Sequence, residues 1–194
     1  MLGVILCGGQ SSRMGTDKGM IKLHANTWAQ TAVDKMANLN LEVVLSVNAI
    51  QHNDYLTVFT ESQLVKDNDE LKLKGPLAGV LSVHLQYPEQ DLFVLACDMP
   101  LMETAVLSVL LSMELKEPGA AAFVYTNEGE PEPLCAIYKA SGLAHINDLL
   151  QTGQLTRHSM KFMLEHIATY FTALNDSQKK YFRNFNAHAE LNGL

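Results

Sequence analysis

The residues with the clearest chemical potential lie near the start of a 194-residue chain and read Leu6-Cys7-Gly8-Gly9-Gln10-Ser11-Ser12-Arg13-Met14-Gly15-Thr16-Asp17-Lys18-Gly19. Four glycines in twelve positions, Gly8 to Gly19, permit tight turns and let backbone N–H groups approach a ligand closely. Ser11 and Ser12 add hydroxyl donors, and Arg13 and Lys18 add two cations. Backbone donors together with cations are what a polyphosphate requires, Arg as a bidentate grip and Lys as a point charge. The competing reading is a solvated surface loop with incidental charges. The loop is not G-x-x-x-x-G-K-[ST], because Arg13 or Met14 stands where the second glycine belongs. Nor is it G-x-G-x-x-G, because Gly8 and Gly9 are adjacent. A P-loop kinase and a hydride-transfer enzyme are therefore both unsupported.

Asp98 is the second candidate. It ends the apolar run Leu92–Cys97, and Pro100 biases Met99 towards an extended backbone. A lone carboxylate at such a position suits Mg²⁺, which takes its remaining ligands from phosphates and water. It equally suits an N-cap for the following helix. Gly75-Pro76 opens a helix with proline at the first position, which is either a good helix start or a close approach of backbone to ligand. The seven histidines show no metal-ligand spacing, and no Ser-His-Asp or Cys-His set stands out. Cys7, Cys97 and Cys135 contain no CxxC pair and lie in apolar runs, as small buried hydrophobes do, which argues against a disulfide scaffold or a zinc ribbon.

The elements that must position these residues alternate. Leu2–Cys7, Leu41–Val47, Leu92–Cys97, Ala120–Thr126 and Leu134–Tyr138 are short apolar runs of the buried-strand kind. Asn26–Asn38, with Asn26 as a possible cap, Pro76–Tyr87 and Met102–Leu115 have helical spacing. Helices are also expected over Lys139–Gln151 and Thr156–Glu165, with a short one near Ala187–Asn192. The acidic, turn-rich run Asn127–Pro133 reads as a loop. Strands alternating with helices predict an α/β three-layer fold with a mostly parallel sheet, and ligands in such folds bind beyond the carboxyl ends of the strands.

Composition narrows the partners. With 14 Lys+Arg against 21 Asp+Glu the formal net charge is −7, which disfavours nucleic acid and anionic membranes. No apolar stretch is long enough to span a bilayer and no signal peptide is evident, so a cytoplasmic protein is expected. The length suits one domain.

Written as L-x-G-G-x-S-x-R-M-G-x-D-K-G, Leu6 to Gly19 resembles the signature loop of the molybdenum cofactor guanylyltransferases, which belong to the Rossmann-like nucleotidyltransferase superfamily. The Gly8-Gly9 pair resembles the guanylyl version, where the related cytidylyltransferases more often carry Ala-Ala-Gly. Further matches follow in order: Val47-Asn48-Ala49, Lys66-Asp67 with Lys74-Gly75-Pro76-Leu77-Ala78-Gly79, Leu95-Ala96-Cys97-Asp98-Met99-Pro100, Pro133–Tyr138, and Asn184-Phe185-Asn186.

The resemblance implies transfer of GMP from GTP to the phosphate of molybdopterin with Mg²⁺ as cofactor and pyrophosphate as product. By it, Arg13, Lys18 and Asp98 are catalytic and Asp98 binds the metal. Leu6, Cys7, Gly8, Gly9, Lys18, Asn48, Asp67, Gly75, Gly79 and Asp98 bind the nucleotide. Asn48 and Asp67 taken alone read as turn residues. Arg157, Lys161, Arg183, Asn184 and Asn186 would serve the acceptor, with a nucleotide part at about residues 1–100 and an acceptor part at about 101–194. The family commonly has Thr-Pro after its Asn-x-Asn, whereas this chain has Ala187-His188, so that acceptor contact departs from the pattern. Asn184 and Asn186 equally read as turn residues before a helix. Protein partners in cofactor delivery are also implied. The alternatives are a cytidylyl or sugar-phosphate nucleotidyltransferase, or a non-catalytic nucleotide-binding module.

Overall fold

The fold was analysed in a computed structural model that describes residues 1–8, 17–23, 25–183 and 185. In chain order, β1 is Leu2–Leu6, β2 Lys22–Leu23, β3 Asn26–Thr27, α1 Trp28–Ala37, β4 Glu42–Val47, α2 His52–Tyr55, β5 Leu64–Lys66 and α3 Pro76–Gln86. There follow β6 Leu92–Ala96, α4 Thr104–Lys116, β7 Ala122–Asn127, β8 Glu130–Tyr138, α5 Ala140–Gln151, α6 Met160–Leu164, β9 Thr169–Ala173 and α7 Asp176–Lys179. Seven strands form one sheet in the order β5-β4-β1-β6-β8-β7-β9, and β2 and β3 make a separate two-stranded ribbon. β1 pairs in parallel with β4 and β6, and β8 pairs antiparallel with both β6 and β7, so β8 alone runs against the rest.

The α/β architecture expected from alternating strands and helices is the one found. Period-two alternation sorts the strand side chains between two cores. Leu2, Val4 and Leu6 of β1 pack with Leu77, Val80 and Leu81 of α3, Leu143 and Ile146 of α5, and Phe162 and Met163 of α6. Ile5 and Cys7 face the opposite side, with Ala29, Val33 and Met36 of α1 and Val106, Leu107 and Leu110 of α4. Each fully buried Leu, Ile or Phe contributes about 1.5–3 kcal/mol, so the central strands are the stable scaffold of the molecule.

Three local expectations change, and a fourth lies outside the described residues. Thr27 caps α1, its hydroxyl accepting from the Gln30 N–H at 3.1 Å, while Asn26 belongs to β3. The run Asn127–Pro133 is a tight hairpin and the start of β8, not a loop: Glu128 (φ 54°) and Gly129 (φ 87°) are both left-handed, as a two-residue hairpin turn demands. Pro131 and Pro133 are tolerated because β8 pairs with β6 only from Cys135 onward, leaving that side of the strand without a ladder. The helix expected over Thr156–Glu165 is confined to α6, which Ser159 caps by accepting from the Phe162 N–H. The helix expected near Ala187–Asn192 lies outside the described residues.

Candidate active site

The parallel register brings the ends of β1, β4, β5 and β6 together along one edge of the sheet. Hydrogen bonds extend the ladders one residue past the strands, from Cys7 N to Ser46 O (3.0 Å), Asp67 N to Val47 O (2.9 Å) and Cys97 N to Leu6 O (3.2 Å). Gly8, Asn48, Asp67 and Asp98 therefore emerge side by side, although the sequence separates the first from the last by most of a hundred residues. Above them lie two adjoining cavities that share Gly8 and Gly75. The larger, about 490 Å³, is lined by Gly8, Asn48, Ile50, Asp67, Leu73 and Gly75 among others. The smaller, about 240 Å³, is lined by residues including Leu6, Cys7, Gly8, Lys18, Pro76 and Asp98. The N-terminus of α3 opens onto both, and a helix N-terminus favours anions. Gly75 turns the chain into that helix at φ 77°, a conformation that a Cβ would penalise.

Asp98 is not a helix cap: α4 begins at Thr104, with Glu103 in the cap position. Its carboxylate instead pairs with the Lys18 ammonium at 3.1 Å, with both side chains about one-fifth exposed, at 22% and 21%. Two tethers hold the backbone beside it. The Phe185 N–H donates to the Asp98 carbonyl (3.2 Å), and the Lys35 ammonium donates to the Pro100 carbonyl (2.7 Å). Burial lowers the Lys35 pKa to about 8, with the Glu103 charge partly opposing.

Asn48 does both of the things its residue type allows. Its side-chain oxygen accepts from the Ile50 and Gln51 N–H groups at 3.0 Å, closing a turn, and the same residue lines the larger cavity. Asp67 is held from below by the Ser46 hydroxyl (2.9 Å). Burial raises its pKa, the Ser46 hydrogen bond partly offsets this, and the Asp69 charge adds to the rise. Gly8 and Gly79 keep the space around this carboxylate. A Cβ at Gly8 would lie 3.1 Å from Asp67 Oδ2, and one at Gly79 would lie 2.3 Å from Ser46 Oγ. Gly79 thus faces the sheet, where it lets α3 pack closely over Ser46.

Gly9, Arg13, Asn184 and Asn186 lie outside the described residues. The remaining acceptor candidates have different partners. Arg183 stacks over Phe185 (5.3 Å to the ring centre), whose backbone reaches Asp98, so this segment borders the cleft. Arg157 stacks over Phe162 of α6 (4.4 Å), and Lys161 pairs with Glu130 at the hairpin tip (2.5 Å). Sequence reasoning did not single out Ile50, Leu73, Gln51 or Tyr55. Ile50 is 90% exposed at the cavity mouth, and an isolated exposed Ile carries no signal in a sequence without its structure.

For a cation, no group of three or more His, Cys, Asp or Glu side chains is assembled among the described residues. The hard carboxylate oxygen of Asp98, lining the smaller cavity, is a donor that fits an ion such as Mg²⁺, which takes most of its ligands from other oxygens and water. No helix among the described residues is long and apolar enough to cross a membrane.

A probable molybdenum cofactor guanylyltransferase of Flavobacterium johnsoniae is 29% identical over 191 residues, covering 98% of this chain and 94% of the relative. A protein of the same description from a Geobacillus species is 27% identical over 199 residues, covering 100% and 97%. The crystal structure of molybdopterin-guanine dinucleotide biosynthesis protein A from Archaeoglobus fulgidus superposes with a TM-score of 0.78 at 22% identity, covering 99% of this chain and 95% of that one. The model of the MobA-like NTP transferase domain matches residues 3–169, which run from β1 to the start of β9 and include both cavities. With its glycine-bounded cleft and Lys18–Asp98 pair at the carboxyl edge of the sheet, this chain belongs to the MobA-like nucleotidyltransferase family.

Proposed function

We propose that this chain transfers GMP from GTP to the terminal phosphate of molybdopterin and releases pyrophosphate, with Mg²⁺ required. The observation that carries the reading is the Lys18–Asp98 pair on the floor of the cleft, directly beside Gly8 and the α3 N-terminus. The names of the two full-length relatives support the choice of guanine and of molybdopterin.

An acceptor phosphate oxygen attacks the α-phosphorus in line. The bond from that phosphorus to the α–β bridging oxygen breaks, and pyrophosphate leaves with the electron pair. The attacking oxygen is already anionic, so no strong general base is needed, and catalysis rests on positioning and on charge neutralisation. Lys18, with Arg13 of the same glycine loop, meets the charge growing on the β and γ phosphates. Asp98 would hold Mg²⁺, and such an ion would supply positive charge against the phosphates. Gly8, Gly9 and Gly75 let backbone donors approach the phosphates, with Leu6 and Cys7 beneath them. Asn48 and Asp67 face the base and ribose, and Gly79 acts through the Ser46 support of Asp67. Residues up to about 100 carry the nucleotide. The acceptor lies against the later part, where Arg183 stacks on the Phe185 that reaches Asp98; Asn184, Asn186 and Arg157 are assigned to it from the sequence.

Titration with GTP, CTP and ATP, with and without Mg²⁺, followed by a pyrophosphate-release assay with molybdopterin, tests the reading. Mg²⁺-dependent preference for GTP and stoichiometric pyrophosphate are expected. Tighter binding of CTP would reassign the transferred group, and absence of pyrophosphate with every nucleotide would leave a non-catalytic nucleotide-binding module.

A further inference from the structure

Asp17 of the glycine loop is held by three hydrogen bonds, two of them from the distant Gln51–Tyr55 segment. Its Oδ1 accepts from the Gly19 N–H (2.8 Å) and from the Tyr55 hydroxyl (3.0 Å), and its Oδ2 accepts from the Gln51 side-chain amide. The same Gln51 nitrogen donates to the Cys7 carbonyl (3.0 Å) at the end of β1, and the Gln51 oxygen accepts from the Asn48 N–H (3.1 Å). Tyr55 is fully buried and Gln51 is 8% exposed. Burying an amide and a phenol is unfavourable unless their polar atoms are paired, and here the pairing converges on one carboxylate. The fit is close: a Cβ on Gly19 would lie 2.0 Å from the Tyr55 oxygen. Asp17 caps the short turn Lys18–Met20, so whatever fixes Asp17 fixes the backbone from which the Lys18 side chain reaches Asp98.

We propose that Asp17, Gln51 and Tyr55 are positioning residues that hold Lys18 in place for the triphosphate, and that Gln51 links this placement to the Asn48–Gln51 turn lining the larger cavity. The inference rests on the reading of the cleft as a nucleoside triphosphate site. Through one amide, the turn that faces the base side and the lysine that faces the phosphate side share a support. Asp17 and Tyr55 act on the part of the ligand that Lys18 touches, because the Asn48–Gln51 turn keeps its own hydrogen bonds when either of them is changed.

The test compares affinities for GTP and GMP, by calorimetry with Mg²⁺, across the wild type, Asp17→Asn, Tyr55→Phe, Lys18→Ala and the two doubles with Lys18→Ala. Asp17→Asn places a donor against the Gln51 amide and should weaken GTP about tenfold, with GMP within about twofold. Tyr55→Phe deletes one oxygen and should give a smaller loss of the same pattern, so the test survives if Asp17→Asn fails to fold. In the Lys18→Ala background both losses should vanish, because the residue through which they act is gone. Equal losses for GTP and GMP, or undiminished losses without Lys18, would overturn the positioning role while the wild-type preference for GTP over GMP leaves the nucleotide reading standing. A wild type that binds GTP no better than GMP would overturn that reading itself, and the inference with it.

Discussion

Asp98 and Asp67 are both carboxylates at strand ends of the same cleft, and their surroundings set them different tasks. Asp98 has the Lys18 ammonium 3.1 Å away, an ion pair at the end of β6. Replacing it with Ala removes a major electrostatic stabiliser and should lower kcat for pyrophosphate release about 10²–10³-fold; near-full GTP-dependent transfer by the variant would exclude that role. Asp67 has no such cation against it among the described residues, and burial raises its pKa. Its raised pKa means that the folded state prefers the protonated form, so its contribution to stability is fully present below the ordinary carboxylate pKa and is lost as pH rises through the folded value. Asp67→Asn, which can still accept from Ser46, should therefore raise the melting temperature at pH 7–8, with the gain shrinking towards pH 4 and below. The same variant should bind nucleotide more weakly. A stabilisation independent of pH would show that burial of the charge is not its cause.

At the scale of elements, the cleft depends on how closely α3 lies on β4. Gly79 permits that approach: its replacement by Ala would push a methyl group to 2.3 Å from Ser46 Oγ, with Leu6 Cδ2 at 3.2 Å. Gly79→Ala should cost about 1–3 kcal/mol in denaturant unfolding, the usual scale of overpacking, and Ser46→Ala in the same chain should recover most of it. Failure of the second change to help would place the strain elsewhere. The elements themselves were largely legible in the sequence. β1, β4, β6, α1, α3 and α4 have long apolar runs or helical spacing that only one kind of element can bury. β5 has three residues, and β9 is an edge strand with Tyr170 and Phe171 exposed, so neither carries a periodic signal. The hairpin at Glu128-Gly129 was hidden by prolines that normally exclude a strand but here occupy its unpaired side. For the site, glycine spacing and the resemblance pointed to Gly8, Lys18 and Asp98. Nothing in the chain announces that Gln51 is buried, or that Lys18 meets a carboxylate 80 residues away, because those facts follow from strand order.

Across the whole molecule, the sheet separates chemistry from reinforcement. The carboxyl edge gathers the cleft, while the opposite edge holds Lys139 between Asp91 (2.5 Å) and Glu114 (2.6 Å), joining the start of β6, the end of β8 and α4. Asp91 also accepts from the Ala140 N–H (2.8 Å) at the start of α5. Burial alone would lower the Lys139 pKa, but the hydrogen bonds and charges of the two carboxylates outweigh it and raise the value. Stability from this group is thus present below the ordinary lysine pKa and lost as pH rises through the raised one. Lys139→Met keeps the packing of the stem and leaves two part-buried carboxylates facing each other. In a chain of net charge −7, that adds local repulsion to a general excess of acid. The expected loss is about 1–2 kcal/mol at pH 7, discounted for partial exposure, and it should shrink in high salt. Affinity for GTP should stay within about twofold of wild type, since the substitution lies across the sheet from Lys18 and Asp98. A parallel fall in nucleotide affinity at temperatures where the variant is fully folded would mean that the two edges are coupled through the strands, and that the sheet transmits strain as well as positioning the site.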